Sequence, residues 1–122
     1  LSGLAVLLAA TLAIQVVDGD TLWIGEEKVR IANIDAPEIH EPKCDAERRL
    51  GLVAKRRLEI LLKSGAVSWK RGDPKDGRLA DRNGRALGTI AIDGRDVGEM
   101  LIAENLARPW TGKRQPWCNA LP

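Results

Sequence analysis

The sequence contains no Phe and no Tyr, and only one His, one Met and two Cys in 122 residues. Without those two aromatics the core has to be built from Val, Ile, Leu and Ala, and each of the four Trp calls for its own explanation. One imidazole and two thiols exclude a four-ligand zinc site made of Cys and His alone. Charge of one sign is also lacking. Lys and Arg number 19 against 17 Asp and Glu, and a net +2 names no polyanionic partner. An argument for nucleic acid must therefore rest on local clusters. There is no internal repeat and no low-complexity segment, and the length suits one domain with one core rather than two.

What is present begins with an apolar run. Leu1 to Ile14 carries no charge and is broken only by Ser2, Gly3 and Thr11. It is shorter than the roughly 20 residues that span a bilayer and matches the apolar centre of a signal peptide. Ala9, Ala10 and Ala13 suit a signal peptidase, and no basic start precedes the run. Residues 1–10 are expected to be a truncated export signal or membrane anchor remnant, and residues 11–122 the folded domain. An even cysteine count in an exported chain suggests a bridge between Cys44 and Cys118, worth roughly 3 to 5 kcal/mol by loop closure. Two unpaired thiols are the alternative.

Branched residues and turn chemistry predict strands over Thr11–Val17, Thr21–Ile24 and Lys28–Asn33, an antiparallel meander joined at Asp18-Gly19 and Gly25-Glu26-Glu27. In the third strand Val29 and Ile31 share one face, which sends Arg30 to the other, away from the core. Two prolines make Ile34 to Pro42 an ordered loop. Asp45 is expected to cap a helix over Ala46–Ser64, with Leu50, Val53, Ala54, Leu58, Leu61 and Leu62 at helical spacing and Gly65 as its stop. Ala66–Lys70 and Ala86–Ile92 read as the fourth and fifth strands. Asp96 and Glu99 resemble a capping box for a second helix ending near Asn105. The basic tail from Arg108 predicts little regular structure. The class is mainly β with helices (α+β), and a five-stranded OB-fold barrel with two to three packed helices is the expected architecture.

Asp18, Asp20, Asp35 and Glu38 all fall at strand ends or adjoining loops of the meander. Such hard oxygen donors suit calcium or magnesium rather than a softer metal. Asp-Gly-Asp alone is commonly a solvated turn. Arg30, and Arg85 of Asn83-Gly84-Arg85, give the acids a purpose: two guanidiniums can clamp a phosphate while a metal polarises it. The basic helix positions Arg48, Arg49, Lys55 and Arg56 either lengthen an electrostatic track or form a solvated face.

Val17-Asp18-Gly19-Asp20-Thr21, Val29-Arg30-Ile31, Ile34-Asp35-Ala36-Pro37-Glu38, Asp81 to Arg85 and Asp93-Gly94, in that order, closely resemble the staphylococcal nuclease-like (thermonuclease) family. The resemblance runs from about Thr11 to Trp110. It implies an OB barrel with helices and a calcium-dependent, sugar-nonspecific endonuclease that cleaves DNA and RNA to 3′-phosphate ends. By the same resemblance Asp20, Asp35 and the Ala36 backbone carbonyl are calcium ligands, with Asp18 in the outer shell. Glu38 is the general base, so activity should fall in acid. Arg30 and Arg85 bind the phosphate and stabilise the transition state. Asn83 replaces the family's aromatic before Gly-Arg, and no Tyr exists to flank a base. Trp110 or Trp117 is left either to stack on single strands or to cover the barrel end. The expected partners are DNA and RNA, the chain acting as a monomer with a membrane tether at its N-terminus. A binding-only OB-fold nucleic-acid module, and a structural cell-envelope domain, are the competing readings.

Overall fold

Alternation of apolar and polar residues sets up the first three strands, each reversed by a short turn. The structure is a computed structural model and describes residues 13–118. Strands β1 (Ile14–Asp18), β2 (Thr21–Ile24) and β3 (Glu27–Ile31) form the expected antiparallel meander. β3 then pairs in parallel with β6 (Ala86–Ile92), and β6 pairs antiparallel with β5 (Val67–Arg71). The order is β1-β2-β3-β6-β5, with β7 (Arg95–Asp96) turned back on the end of β6. Helix α1 (Asp45–Leu62) and helix α2 (Val97–Ala103) complete the α+β, OB-like fold.

A closed barrel is not what forms. Among the described residues no ladder joins β1 to β5, so the sheet is open along those edges. Leu62 and Ala66, at the end of α1, line the cleft that both edges share, together with Ile14, Val16 and Val67. The ends of the first strand and of the expected export segment, residues 1–12, lie outside the described residues. Among the described residues no helix is long and apolar enough to cross a membrane.

Two segments read as irregular pair with each other. β4 (Ile34–Asp35) and β8 (Arg108–Pro109) form a two-residue antiparallel ladder that sets Asp35 opposite Arg108. This ladder delivers the C-terminal tail to the acidic loop. Arg30 leaves the apolar core, as alternation requires, and is only 6% exposed because Trp110 covers it.

The core is Leu22, Val29, Ile31, Ile34, Leu58, Ile90, Val97 and Leu101, all fully buried. Helix α1 contributes Gly51, Ala54, Leu58 and Leu61, whereas Val53 faces solvent. The rotation has a local cause. A side chain at Gly51 would meet Ile39 and the Pro37 carbonyl at 2.9 Å, so the helix lies directly on the acidic loop. The cap of α1 is Cys44, whose sulfur accepts from the Glu47 N–H, not Asp45. Its end is Lys63, two residues before Gly65. Asp96 caps α2 as expected, accepting from Glu99 N–H at 2.8 Å, and the helix stops at Ala103 ahead of Asn105, which takes a left-handed φ of 61°.

Gly19 is needed for space. A Cβ there would lie 2.8 Å from that of Ala36 and 2.9 Å from that of Ala54, so strand turn, acidic loop and helix meet at this point. Gly19→Ala is expected to destabilise by about 1 to 3 kcal/mol through overpacking. Denaturant unfolding checks this, and an unchanged midpoint would refute the contact.

Candidate active site

The β1–β2 turn carries the first two acids. Asp18 Oδ1 accepts from Asp20 N–H at 3.0 Å, which folds the turn so that the Asp20 carboxylate points inward. Thr21 Oγ1 donates to Asp20 Oδ1 at 3.0 Å, and the Ala36 N–H donates to Asp20 Oδ2 at 2.9 Å. Asp20 thereby ties the meander to the acidic loop. Asp35, the last residue of β4, is fully buried, and Glu38 follows three residues later. The Glu38 backbone is pinned from α1, where Glu47 accepts from Glu38 N–H at 3.0 Å and from Lys43 N–H at 2.8 Å.

Two guanidiniums meet these acids and a third reaches them through Thr21. Arg30 donates to the Ile31 carbonyl at 2.7 Å through Nη1, while Nη2 lies 3.7 Å from Asp20 Oδ2 and has no hydrogen-bond partner among the described residues. The Trp110 ring centre is 4.7 Å from the Arg30 guanidinium, a cation–π geometry. Arg85 sits on a turn built by Asp81, which accepts from Asn83 N–H, Arg85 N–H and Arg85 Nε at 2.7 to 2.9 Å. Arg85 Nη1 reaches Thr21 Oγ1 at 3.5 Å, so Thr21 links it to Asp20. Arg114 donates to Asp35 Oδ1 at 2.8 Å and to the Ala36 carbonyl at 3.2 Å, pairs with Glu38, and stands 3.9 Å from Asp20 Oδ2. Arg30, Arg85, Trp110 and Arg114 all line one open cleft of about 550 Å³. Lys75, Arg78 and Arg82 line it too, among the acids Asp73, Asp76 and Asp81.

Electrostatics separate the four carboxyls. Burial, with the Asp20 charge next in size, pushes Asp18 up to about 7. Burial also acts to raise Asp20, but Arg30, the bond with Asp18, the Ala36 N–H and Arg114 outweigh it and hold Asp20 below the ordinary carboxylate range. Asp35 and Glu38 are both raised, chiefly by burial, against the lowering effect of Arg114. Glu38 remains the most accessible of the site's acids, its side chain 20% exposed against 1% for Asp20 and 0% for Asp35.

Arg30 and Arg85 line the cleft, whereas Asp20, Asp35, Ala36 and Glu38 do not and reach it through their contacts with Arg30, Arg114 and Thr21. Asp18 does not line it either and is joined to Asp20. Trp110 lines the cleft. Trp117 does not: it is buried against Arg108, beside the disulfide that joins Cys44 to Cys118. None of Arg48, Arg49, Lys55 and Arg56 lines the cleft. Sequence reasoning missed Arg114, Glu47 and the linking role of Thr21. Only Glu47 left a local trace, as an acid in the first turn of a helix.

Among the described residues no three His, Cys, Asp or Glu side chains are grouped as a metal-binding set. What converges is two buried carboxylates and the Ala36 carbonyl, with the Arg114 guanidinium standing in for a cation. Hard oxygens around buried negative charge fit calcium or magnesium.

A family model described as staphylococcal nuclease homologue matches residues 28–119. The SPbeta prophage-derived endonuclease YokF of Bacillus subtilis (strain 168) is 34% identical over 98 residues, covering 75% of this chain and 31% of that protein. Endonuclease YncB of the same organism is 32% identical over 98 residues, covering 75% and 44%. The succinoglycan biosynthesis protein ExoI of Rhizobium meliloti (strain 1021) is 35% identical over 91 residues, covering 71% and 45%. The chain spans less than half the length of these curated relatives. Matched over most of its length, the chain belongs to the staphylococcal nuclease homologue family.

Proposed function

We propose that this domain is a calcium-dependent, sugar-nonspecific endonuclease that hydrolyses phosphodiester bonds of DNA and RNA and leaves 3′-phosphate ends. The observation that carries the proposal is the unpartnered Nη2 of buried Arg30, beside Asp20 in a residue that lines the cleft. A buried guanidinium nitrogen without an acceptor is costly, and a phosphate oxygen would supply one once the covering Trp110 shifts to expose it. Arg85 presents a second guanidinium along the same cleft, held by Asp81. Bound at Asp20, Asp35 and the Ala36 carbonyl, with Asp18 behind, calcium would polarise the phosphoryl group and neutralise its charge. Glu38 is the site acid most open to water, which suits it to orient the attacking water and take its proton. Trp110 offers a half-buried aromatic surface in the cleft, and this supports a preference for single strands.

All of these groups come from one chain, so the site needs no second copy to be complete, and a monomer suffices. The Cys44–Cys118 bridge supports export, with the N-terminal apolar run as leader or tether, because such bridges persist in oxidising compartments. Glu38→Gln tests the proposal. It keeps the size and removes the base, so kcat should fall by about 100- to 10,000-fold with strand affinity nearly unchanged. Undiminished turnover in a folded Glu38→Gln protein would remove Glu38 from the chemistry.

A further inference from the structure

One guanidinium reaches all three oxygen donors assigned directly to the cation. Arg114 Nη1 donates to Asp35 Oδ1 at 2.8 Å and to the Ala36 carbonyl at 3.2 Å, and Nη2 lies 3.9 Å from Asp20 Oδ2 while pairing with Glu38. A divalent cation cannot bind those oxygens while the fork of Arg114 holds them. Asp20 and Asp35 are buried, and buried carboxylates require a compensating charge. Arg114 is suited to leave. Its side chain is 40% exposed, and it lies in the tail between Gly112, at a φ of 99°, and the anchor formed by Trp117 and Cys118. It can swing into the cleft it already lines without unpacking the core.

We propose that Arg114 is the resident counter-ion of the carboxylate site, displaced when a divalent cation binds, and that this competition sets the affinity of the site for calcium. The inference rests on the calcium site proposed above. In the cation-free protein Arg114 holds Asp35, Ala36 and Glu38 in place. On loading, the tail anchored at Cys118 keeps the released guanidinium near the cleft. The cation therefore binds more weakly than its oxygen donors alone would allow.

Calcium binding to the full 122-residue chain, measured by titration calorimetry without nucleic acid, tests this. Arg114→Gln should bind calcium about tenfold or more tightly than the unaltered protein. It should also unfold more easily in chelator and gain more from saturating calcium. Equal or weaker binding by folded Arg114→Gln would overturn the competition and leave the calcium site standing. Absence of calcium binding by both proteins would overturn the site and the competition together. Arg114→Lys guards against loss of fold, because it keeps the charge but cannot span three acceptors. Its affinity should fall between the other two, and a value equal to the unaltered protein would likewise overturn the proposal.

Discussion

Arg30→Lys is expected to lower kcat on a single-stranded substrate by about 100- to 1,000-fold, the cost of removing one donor aimed at developing charge. The reason lies in how the guanidinium is shared. Nη1 is committed to the Ile31 carbonyl, leaving Nη2 for a phosphate oxygen, and one ammonium cannot do both across the same span. Lys keeps a positive charge near Asp20, so the fold should survive. Arg30→Ala would not be as informative, because it strips charge from beside a buried carboxylate at a cost of about 3 to 5 kcal/mol. Single-turnover rates of Arg30→Lys, matched to the parent for thermal stability, make the measurement. A loss smaller than tenfold would mean that Arg30 only neutralises Asp20.

Replacing both Cys44 and Cys118 by Ser should remove about 3 to 5 kcal/mol of stability. The bridge joins residues 74 apart, and loop closure of that size restricts the unfolded chain by roughly that amount. It also anchors the tail, alongside several non-covalent contacts. Arg108 stacks on Trp117 with 3.8 Å to the ring centre and donates to the Pro116 carbonyl, while the Gln115 N–H donates to Asp35. Freed of the bridge, this segment should loosen its grip on Asp35. Urea unfolding of the oxidised protein and the double-Ser variant reads the difference in midpoint. A shift worth less than about 1 kcal/mol would show that the tail is held by packing alone.

Local signals carried much of this architecture. β2 and β6 form over the residues whose branched side chains predicted them, and Asp96 caps α2 because an acid three residues before an N–H is a self-contained signal. The acids around Asp20, with Arg30 and Arg85, fall in short local motifs, which is why the sequence singles them out. Features made by distant pairs were not legible. The β4–β8 ladder joins residues some 74 apart, and neither two-residue partner has a period of its own. Burial of Arg30 depends on Trp110, and the position of Arg114 depends on both that ladder and the disulfide. An arginine in a Pro- and Gly-containing tail gives no hint that its nearest partners are Asp35, Ala36 and Glu38. The open edge between β1 and β5 belongs to the same class, since the cleft there is lined by residues from β1, the end of α1 and β5, which lie far apart in sequence.

The most direct test of the central claim is cleavage of end-labelled single-stranded DNA by the purified domain in calcium and in chelator. The account predicts fragments ending in 3′-phosphate in calcium, and none in chelator. A folded protein that binds the strand yet never cuts it under any divalent ion would contradict the account and make the domain a binding module.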